Sequence, residues 1–397
     1  MIEDDIYRTS SQFRLWSYTE QSLQSVRATT NAVASDRVRT ALRRTREAQQ
    51  SATPSATGTP QPASDAESKT SDEKPIDCLT PEEELVFVRY YCESLLELGD
   101  EYKPPLPTTV RATAIQYLRR FYLTNSPMTY HPKKIMATAL FVATKTDNYY
   151  MSLRSFAEAI PGNPSTDEVV APEFLLMQGL RFTFDVRHPF RGLEGGQGIL
   201  SIAPPPTPSS SITDRIGRAH NATRELLKTA AQMTDVYFLY TPSQIWLSAL
   251  LLSDRPLAEY YLETKLGGPI TSTPTNPDPS NPLDEIRTKL FKVLSDCAAL
   301  LQAYTPLSAD AAQIKNLKRI AKKHYKCQNP DGANMAQKRD SAPPRAVSSA
   351  AATDSGQVTS ESETERLAKK RKLEEQKQNG PKDMFGGELV PDRTKGQ

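Results

Sequence analysis

Apolar residues recur at helical spacing through the middle of the chain, and no stretch alternates convincingly as a strand would. Leu85, Val88, Cys92, Leu95 and Leu96 form one stripe. It opens on Thr80-Pro81-Glu82-Glu83, where threonine caps, proline suits the first helical position and the acids face the positive end of the dipole. After "KPPLP", the residues Val110, Ala114, Tyr117, Leu118, Phe121 and Tyr122 repeat the pattern over 107–124, until Asn125-Ser126-Pro127 stops it. A third helix begins at His131-Pro132. From Ile135 to Ala143 only Thr138 is polar, which predicts a central helix with others packed about it. A shorter helix follows near 152–160 and "PGNP" breaks the chain. Residues 169–184 read as a fifth helix with Phe174, Met177 and Leu180 on one face.

The second half repeats this plan. "YHPKKIMATALFV" (130–142) and "YTPSQIWLSALLL" (240–252) share Tyr130/Tyr240, Pro132/Pro242, Ile135/Ile245, Ala139/Ala249 and Leu140/Leu250 at one constant offset. A helix precedes each, over 107–124 and 213–235, and others follow at 256–264 and 283–303. The pattern predicts a duplicated all-α fold, each copy built round one buried helix. The second copy reads as looser. "GLEGGQGIL" (192–200) places four glycines where its first helix belongs, each costing about 1 kcal/mol against alanine. Residues 203–211 and 267–282 are long irregular insertions.

Around this core the chain divides further. Residues 1–49 form an N-terminal helical segment, with Leu15, Trp16, Leu23, Val26, Val33, Val38 and Leu42 at loose helical spacing. Residues 50–76 are a Ser/Thr/Pro/Ala-rich stretch expected to be a disordered linker. The two repeats occupy 77–187 and 188–305. Residues 306–328 contain "KNLKRIAKKHYK", read as a last helix packing with its lysines outward, and 329–397 form a polar tail expected to be disordered.

Composition sharpens the picture. Only 38% of residues are apolar and 31 prolines cluster with Ser, Thr and Gly, as expected of a folded middle between polar tails. The net charge is +2, and residues 77–310 sum to −5, the wrong sign for a surface that neutralises phosphates. Direct nucleic-acid binding is therefore not expected. The four cysteines form no CxxC and no metal spacing with histidine, so they read as reduced, partly buried thiols. The four histidines are scattered and read as caps or surface residues, so no metal or cofactor is expected. No apolar run reaches the roughly 18 residues of a membrane span. The acidic start "MIEDDIYRTSSQ" is no signal peptide, which points to cytosol or nucleus. No phosphate loop, nucleophile elbow or HExxH is present, so no catalysis by this chain itself is expected. "ERLAKKRKLEEQKQ" carries the basic cluster Lys369, Lys370, Arg371 and Lys372, which reads as a nuclear localisation signal or as one charged face of a marginal helix.

Four stretches carry a family resemblance. "RRFYLTNSPMTYHPKKIMATALFVATK" resembles the core of a first cyclin box, and "APEFLLMQGLRFTFDVRHPFR" resembles its fifth helix and the exit from it. "MTDVYFLYTPSQIWLSAL" (233–250) and the opening "SSQFRLW" (10–16) resemble the cyclin H branch. The resemblance implies two tandem five-helix cyclin boxes with flanking N- and C-terminal helices. It implies a regulatory subunit that docks on a cyclin-dependent kinase and presses its mobile C-helix inward, so that the kinase's catalytic Lys–Glu pair forms. The branch implies the CDK-activating kinase of TFIIH, which phosphorylates other such kinases and the RNA polymerase II tail in the nucleus. Its expected partners are the kinase catalytic subunit, a RING-type assembly factor and the TFIIH core.

The same resemblance assigns residues. Lys145 matches the family lysine ending the third helix, and Glu173 the glutamate opening the fifth. In cyclins the two meet and bond main-chain groups of the kinase. Phe182 and Phe184 match positions that pack on the kinase C-helix, and Leu15 and Trp16 belong to the branch's N-terminal contact segment. From the residues alone, Lys145 also reads as a helix-end cation, Glu173 as a helix-start anion, and both phenylalanines as plain core. Many cyclins carry Asp-Arg where this chain has Arg119-Arg120, so the internal bridge made by that acid is lost; transcription-type cyclins share a basic residue there. The substrate-recruiting apolar patch of cell-cycle cyclins is not recognisable around 85–96. Two other readings compete: a different transcription-type cyclin serving an elongation or Mediator kinase, and a DNA-binding general transcription factor core built of cyclin repeats.

Overall fold

The computed structural model describes residues 2–51, 76–162, 164–202, 205, 212–266 and 282–329. Residues 52–75, most of both insertions, and the tail with Lys369, Lys370, Arg371 and Lys372 lie outside them. Three helices lead the chain, α1 (Ile2–Thr9), α2 (Ser11–Trp16) and α3 (Glu20–Ser51). The first repeat holds α4 (Pro81–Glu101), α5 (Thr108–Thr124), α6 (Pro132–Thr146) and α7 (Leu153–Ala159), then α8 (Thr166–Val170) and α9 (Glu173–Gly179). The second holds α10 (Phe190–Ile202), α11 (Ile212–Lys228), α12 (Ala230–Met233) and α13 (Val236–Leu239), then α14 (Pro242–Ser253), α15 (Arg255–Leu266) and α16 (Pro282–Gln302). Helix α17 (Ala311–Gln328) follows. Among the described residues there is no strand. None of their helices is long and apolar enough to cross a membrane, and they hold no cluster of three or more metal-ligating side chains.

The helix starts follow from local chemistry. Thr80 and Glu83 form a reciprocal capping box at α4, and Thr241 and Gln244 form another at α14. His131 does the same work at α6, its Nδ1 accepting the Lys133 N–H at 3.1 Å. The two central helices of the duplication are α6 and α14. Ile135, Ala139, Leu140 and Ala143 are buried in the first core, and Ile245, Ala249 and Leu250 in the second. Thr138, the one polar residue in the α6 run, satisfies its hydroxyl by donating to Val169 O at 2.7 Å.

Several expectations are corrected. The fifth helix is two helices, because Pro172 lacks the N–H that a continuous helix needs. It also ends at Gly179, since Arg181 and Phe182 adopt φ of 54° and 53°. Phe174 points outward while Leu176 and Leu180 fill the core. The helix over 213–235 stops at Lys228 and resumes at Ala230, because Thr229 leaves helical geometry (φ −108°, ψ −84°). Helix α10 forms through its glycines. A Cβ on Gly192 or Gly196 would stand 2.3 or 2.5 Å from the Trp246 ring, so both glycines admit that ring against the helix. His188 is half-buried and His324 buried, so neither is a surface group. His188 lies between Thr113 Oγ1 and Tyr237 Oη, each 2.9 Å away, and burial helped by the Arg120 charge pushes its pKa down to about 3. His324 bonds Pro127 O at 2.8 Å. On α17, Lys323 turns inward to Glu83 (2.7 Å) and Asp77 (2.8 Å), because Glu83 is nearly buried and needs a counter-charge. All four cysteines are free and buried.

Candidate functional site

Helix α6 is buried along most of its length and emerges at its last turn, which carries Lys145. Helix α9 begins at Glu173 and packs against α6. The two side chains meet in an ion pair, the lysine 44% and the glutamate 20% exposed. Lys145 Nζ also stands 4.7 Å from the centroid of the Phe141 ring. An ion pair this open is worth about 1 kcal/mol or less to the fold. Its chemistry points outward instead. An ammonium has three N–H donors and a carboxylate two acceptor oxygens, so one bond between them leaves both groups able to bond a visiting main chain.

Beside the pair stands an apolar ridge. Phe174 and Phe182 are 60% and 57% exposed, with ring centroids 6.2 Å apart. Phe182 belongs to the exit from α9, where two successive left-handed residues cost about 1–3 kcal/mol each. That conformation is held from three sides. The Phe182 N–H donates to Met177 O at 2.9 Å. Trp16 Nε1 donates to Thr183 Oγ1 at 2.9 Å, and the Arg181 guanidinium lies 5.2 Å from the Trp16 ring centroid. Tyr117 Oη donates to Phe184 O at 2.6 Å.

The predicted residues therefore separate. Lys145, Glu173 and Phe182 share one surface. Phe184 turns inward, half-buried with its ring edge-on to Tyr117, because its carbonyl is tied to that tyrosine. Trp16 is fully buried, so it cannot touch a partner; it positions the Arg181–Thr183 segment from behind. Leu15 is half-buried against the small core of Trp16, Leu23, Leu123 and Phe238. The periodicity placed Phe174 on one face with Met177 and Leu180, without marking it as a surface residue. Its place at the outer edge of a two-turn helix beside Glu173 could have flagged it.

A second group missed by sequence reasoning locks the frame behind this surface. Gln12 Oε1 accepts from Arg120 Nη2 (3.1 Å) and the Arg187 N–H (2.7 Å). Arg120 is buried, donates to Asp185 O at 3.2 Å and stacks 5.1 Å from the Trp16 centroid; burial lowers its pKa to about 10. Arg119 gains a new partner in place of the lost family bridge. Its Nη2 lies 2.6 Å from Asp235 Oδ1, and Arg27 clasps the same carboxylate at 2.8 and 2.7 Å. One aspartate from the "MTDVY" run thus joins α3, α5 and the second repeat. Burial would raise its pKa, but the Arg27 and Arg119 bonds outweigh this and hold it low.

Comparison with known proteins fits this geometry. The cyclin N-terminal domain family matches residues 66–185, and the cyclin C-terminal domain family matches 188–302. Cyclin CCL1 of Saccharomyces cerevisiae is 34% identical over 353 residues, covering 83% of this chain and 82% of that protein. Cyclin-H of Xenopus laevis is 35% identical over 178 residues, 44% of this chain and 53% of that protein. Among solved structures, the CAK complex of Chaetomium thermophilum bound to ATP-γ-S contains a chain 31% identical to this one. It matches at a TM-score of 0.65, covering 88% of this chain and all of that one. The yeast TFIIK (Kin28/Ccl1/Tfb3) complex matches at 0.53 with 29% identity, covering 74% of this chain and all of the other. Two tandem cyclin domains and a relative 34% identical and matched over four-fifths of its length place this chain in the cyclin family, in its cyclin H branch.

Proposed function

We propose that this chain is the regulatory subunit of a CDK-activating kinase of the TFIIH type, contributing no catalytic group of its own. The observation that carries the reading is the Lys145–Glu173 pair set beside the exposed Phe174–Phe182 ridge. The ridge supplies apolar area for the kinase C-helix. The ion pair fixes register by bonding main-chain groups next to that helix, which apolar contact does poorly. Seating the ridge drives the C-helix inward and completes the kinase's Lys–Glu pair. The substrates are then other cyclin-dependent kinases and the RNA polymerase II tail, and the compartment is the nucleus. The likeness to chains of the CAK and Kin28/Ccl1/Tfb3 complexes supports a kinase partner and a third, assembly subunit, here assigned as RING-type, with the TFIIH core beyond it. The −5 charge over 77–310 speaks against the DNA-binding reading.

The test is co-expression of the tagged chain with its host's cyclin-dependent kinases, identification of the kinase that copurifies, and assay of that kinase on a polymerase-tail peptide. The expected result is one stoichiometric kinase, active only with this chain. A chain that copurifies with no kinase, or a kinase equally active alone, overturns the assignment.

A further inference from the structure

Helix α17 leaves one face uncovered. Its inner face buries Ile320, His324 and Cys327, and its far flank pairs Arg319 and Lys323 with Glu83 of α4. The face between opens on a groove of about 560 Å³ shared with α4, walled by Phe87, Tyr90 and Tyr91 on one side and Ile314, Leu317 and Tyr325 on the other. Its floor is aromatic and uncharged. His324 lies 4.6 Å from Phe87 and 4.9 Å from His131, ring to ring, and burial lowers the pKa of both histidines. At its mouth Tyr325 is 63% exposed, and Tyr90 and Ile314 are each 39% exposed. Solvent-facing rings gathered round one groove mark an interaction surface rather than scattered surface apolars.

Charge identifies what fits there. Lys318 lines the groove, and Lys315, Lys322 and Lys326 continue from it by helical spacing along the exposed face of α17. Among the described residues none of the four has a carboxylate partner, whereas Arg319 and Lys323, round the helix, both do. On the α4 wall Glu93 is engaged by Tyr304 Oη and the Leu307 N–H, and Glu97 is the exposed acid. The groove is thus apolar at its base, cationic along one lip and acidic at a single point of the other. It shares no residue with the Lys145–Glu173 surface.

We propose that the groove between α4 and α17 docks an acidic, aromatic-bearing peptide segment of a partner protein. Its large side chains rest on Tyr90, Ile314 and Tyr325 and its carboxylates run along the lysine lip. This is peptide-in-groove recognition in which the apolar anchors give affinity and the charges give orientation.

The probe is a fluorescein-labelled twelve-residue peptide alternating Asp with Phe and Leu, titrated by anisotropy against the full-length chain at low salt. The control peptide carries Lys for every Asp. The wild-type chain binds the acidic peptide saturably and the control at least about tenfold more weakly. Added salt weakens binding. Lys318→Glu/Lys322→Glu and, separately, Tyr325→Ala each lose about tenfold, while Lys145→Ala leaves the affinity unchanged. All these side chains are exposed, and circular dichroism verifies that each variant keeps its helix content. Absence of saturable binding below about 1 mM overturns the proposal. So do equal affinity for the two peptides and variants that bind like wild type. A chain that dimerises through this groove, with Tyr325→Ala making it monomeric, assigns the surface to a second copy and overturns it too.

Discussion

Replacing Asp235 by asparagine isolates the junction that holds the two repeats and the N-terminal helix in one frame. The carboxylate answers two guanidiniums, Arg27 and Arg119, whose side chains are only 12% and 9% exposed. The trio carries a net charge of +1, and neutralising the aspartate leaves two like charges with little water to solvate them. Removing one partner of a buried pair costs about 3–5 kcal/mol. The aspartate is 30% exposed, so screening brings the figure to about 3 kcal/mol. At about 2–4 °C per kcal/mol, the melting midpoint should fall by about 6–12 °C. Arg119→Met provides the contrast. It leaves a neutral Arg27–Asp235 pair and keeps apolar atoms over Phe238, where the Arg119 guanidinium now lies 5.5 Å from the ring centroid, so its cost should be about 1–2 kcal/mol. The pH dependence follows from the sign of the shift. Asp235 is held below the ordinary carboxylate range, so its contribution is complete above about pH 4 and disappears as pH falls through the folded-state pKa. The deficit of Asp235→Asn should therefore close in acid. Thermal and urea unfolding followed by circular dichroism reads all three effects. An asparagine variant within about 1 kcal/mol of wild type, or Arg119→Met as damaging as Asp235→Asn, refutes the reasoning.

Three further outcomes are expected. Trp16→Phe keeps most of the buried ring but loses the N–H bond to Thr183, so it should cost about 1 kcal/mol of stability and weaken kinase binding several-fold by calorimetry, although Trp16 touches no partner. His188 stays neutral in the fold and protonates near pH 6.5 once unfolded. Wild type therefore loses about 1.4 kcal/mol of stability per pH unit at this site as pH drops from 6.5 to 4, and the deficit of His188→Gln should shrink over that window in urea titrations. Gly196→Ala drives a methyl into Trp246 and should cost about 1–3 kcal/mol, whereas Gly198→Ala meets nothing within 4 Å and should stabilise the chain by up to about 1 kcal/mol; calorimetric midpoints moving in the same direction would contradict this.

What was legible in the sequence depended on periodicity and on short-range chemistry. Thr80-Pro81, His131-Pro132 and Thr241-Pro242 announced α4, α6 and α14 because capping is a local event, and the apolar run after each announced burial. The pairing of Lys145 with Glu173 was legible through family likeness, since no spacing relates residues on different helices. Long-range compensation was not legible. The glycines of α10 read as helix breakers because Trp246, which needs their missing side chains, lies some fifty residues away in the chain. Arg119 read as a lost bridge because its new carboxylate sits in the other repeat. Trp16 read as a contact residue because family likeness assigns the segment and not the burial of each side chain, whereas Arg120, Arg181 and Thr183 enclose it. Apolar periodicity joined 169–184 into one helix, although Pro172, with no N–H to donate, divides it.

The central claim is that Lys145 and Glu173 are paired for a partner and not for the fold. Exchanging them, Lys145→Glu with Glu173→Lys, restores an internal ion pair but reverses the polarity shown to the kinase. Calorimetric titration of the purified kinase subunit with this double variant, each single alanine variant and wild type is the most direct measurement. The account predicts that all three variants fold like wild type and bind at least about thirtyfold more weakly, the loss of about 2–5 kcal/mol expected when a hydrogen-bonded charge is removed from an interface. Wild-type affinity in the exchanged variant would mean that the pair serves only the fold, and would contradict it.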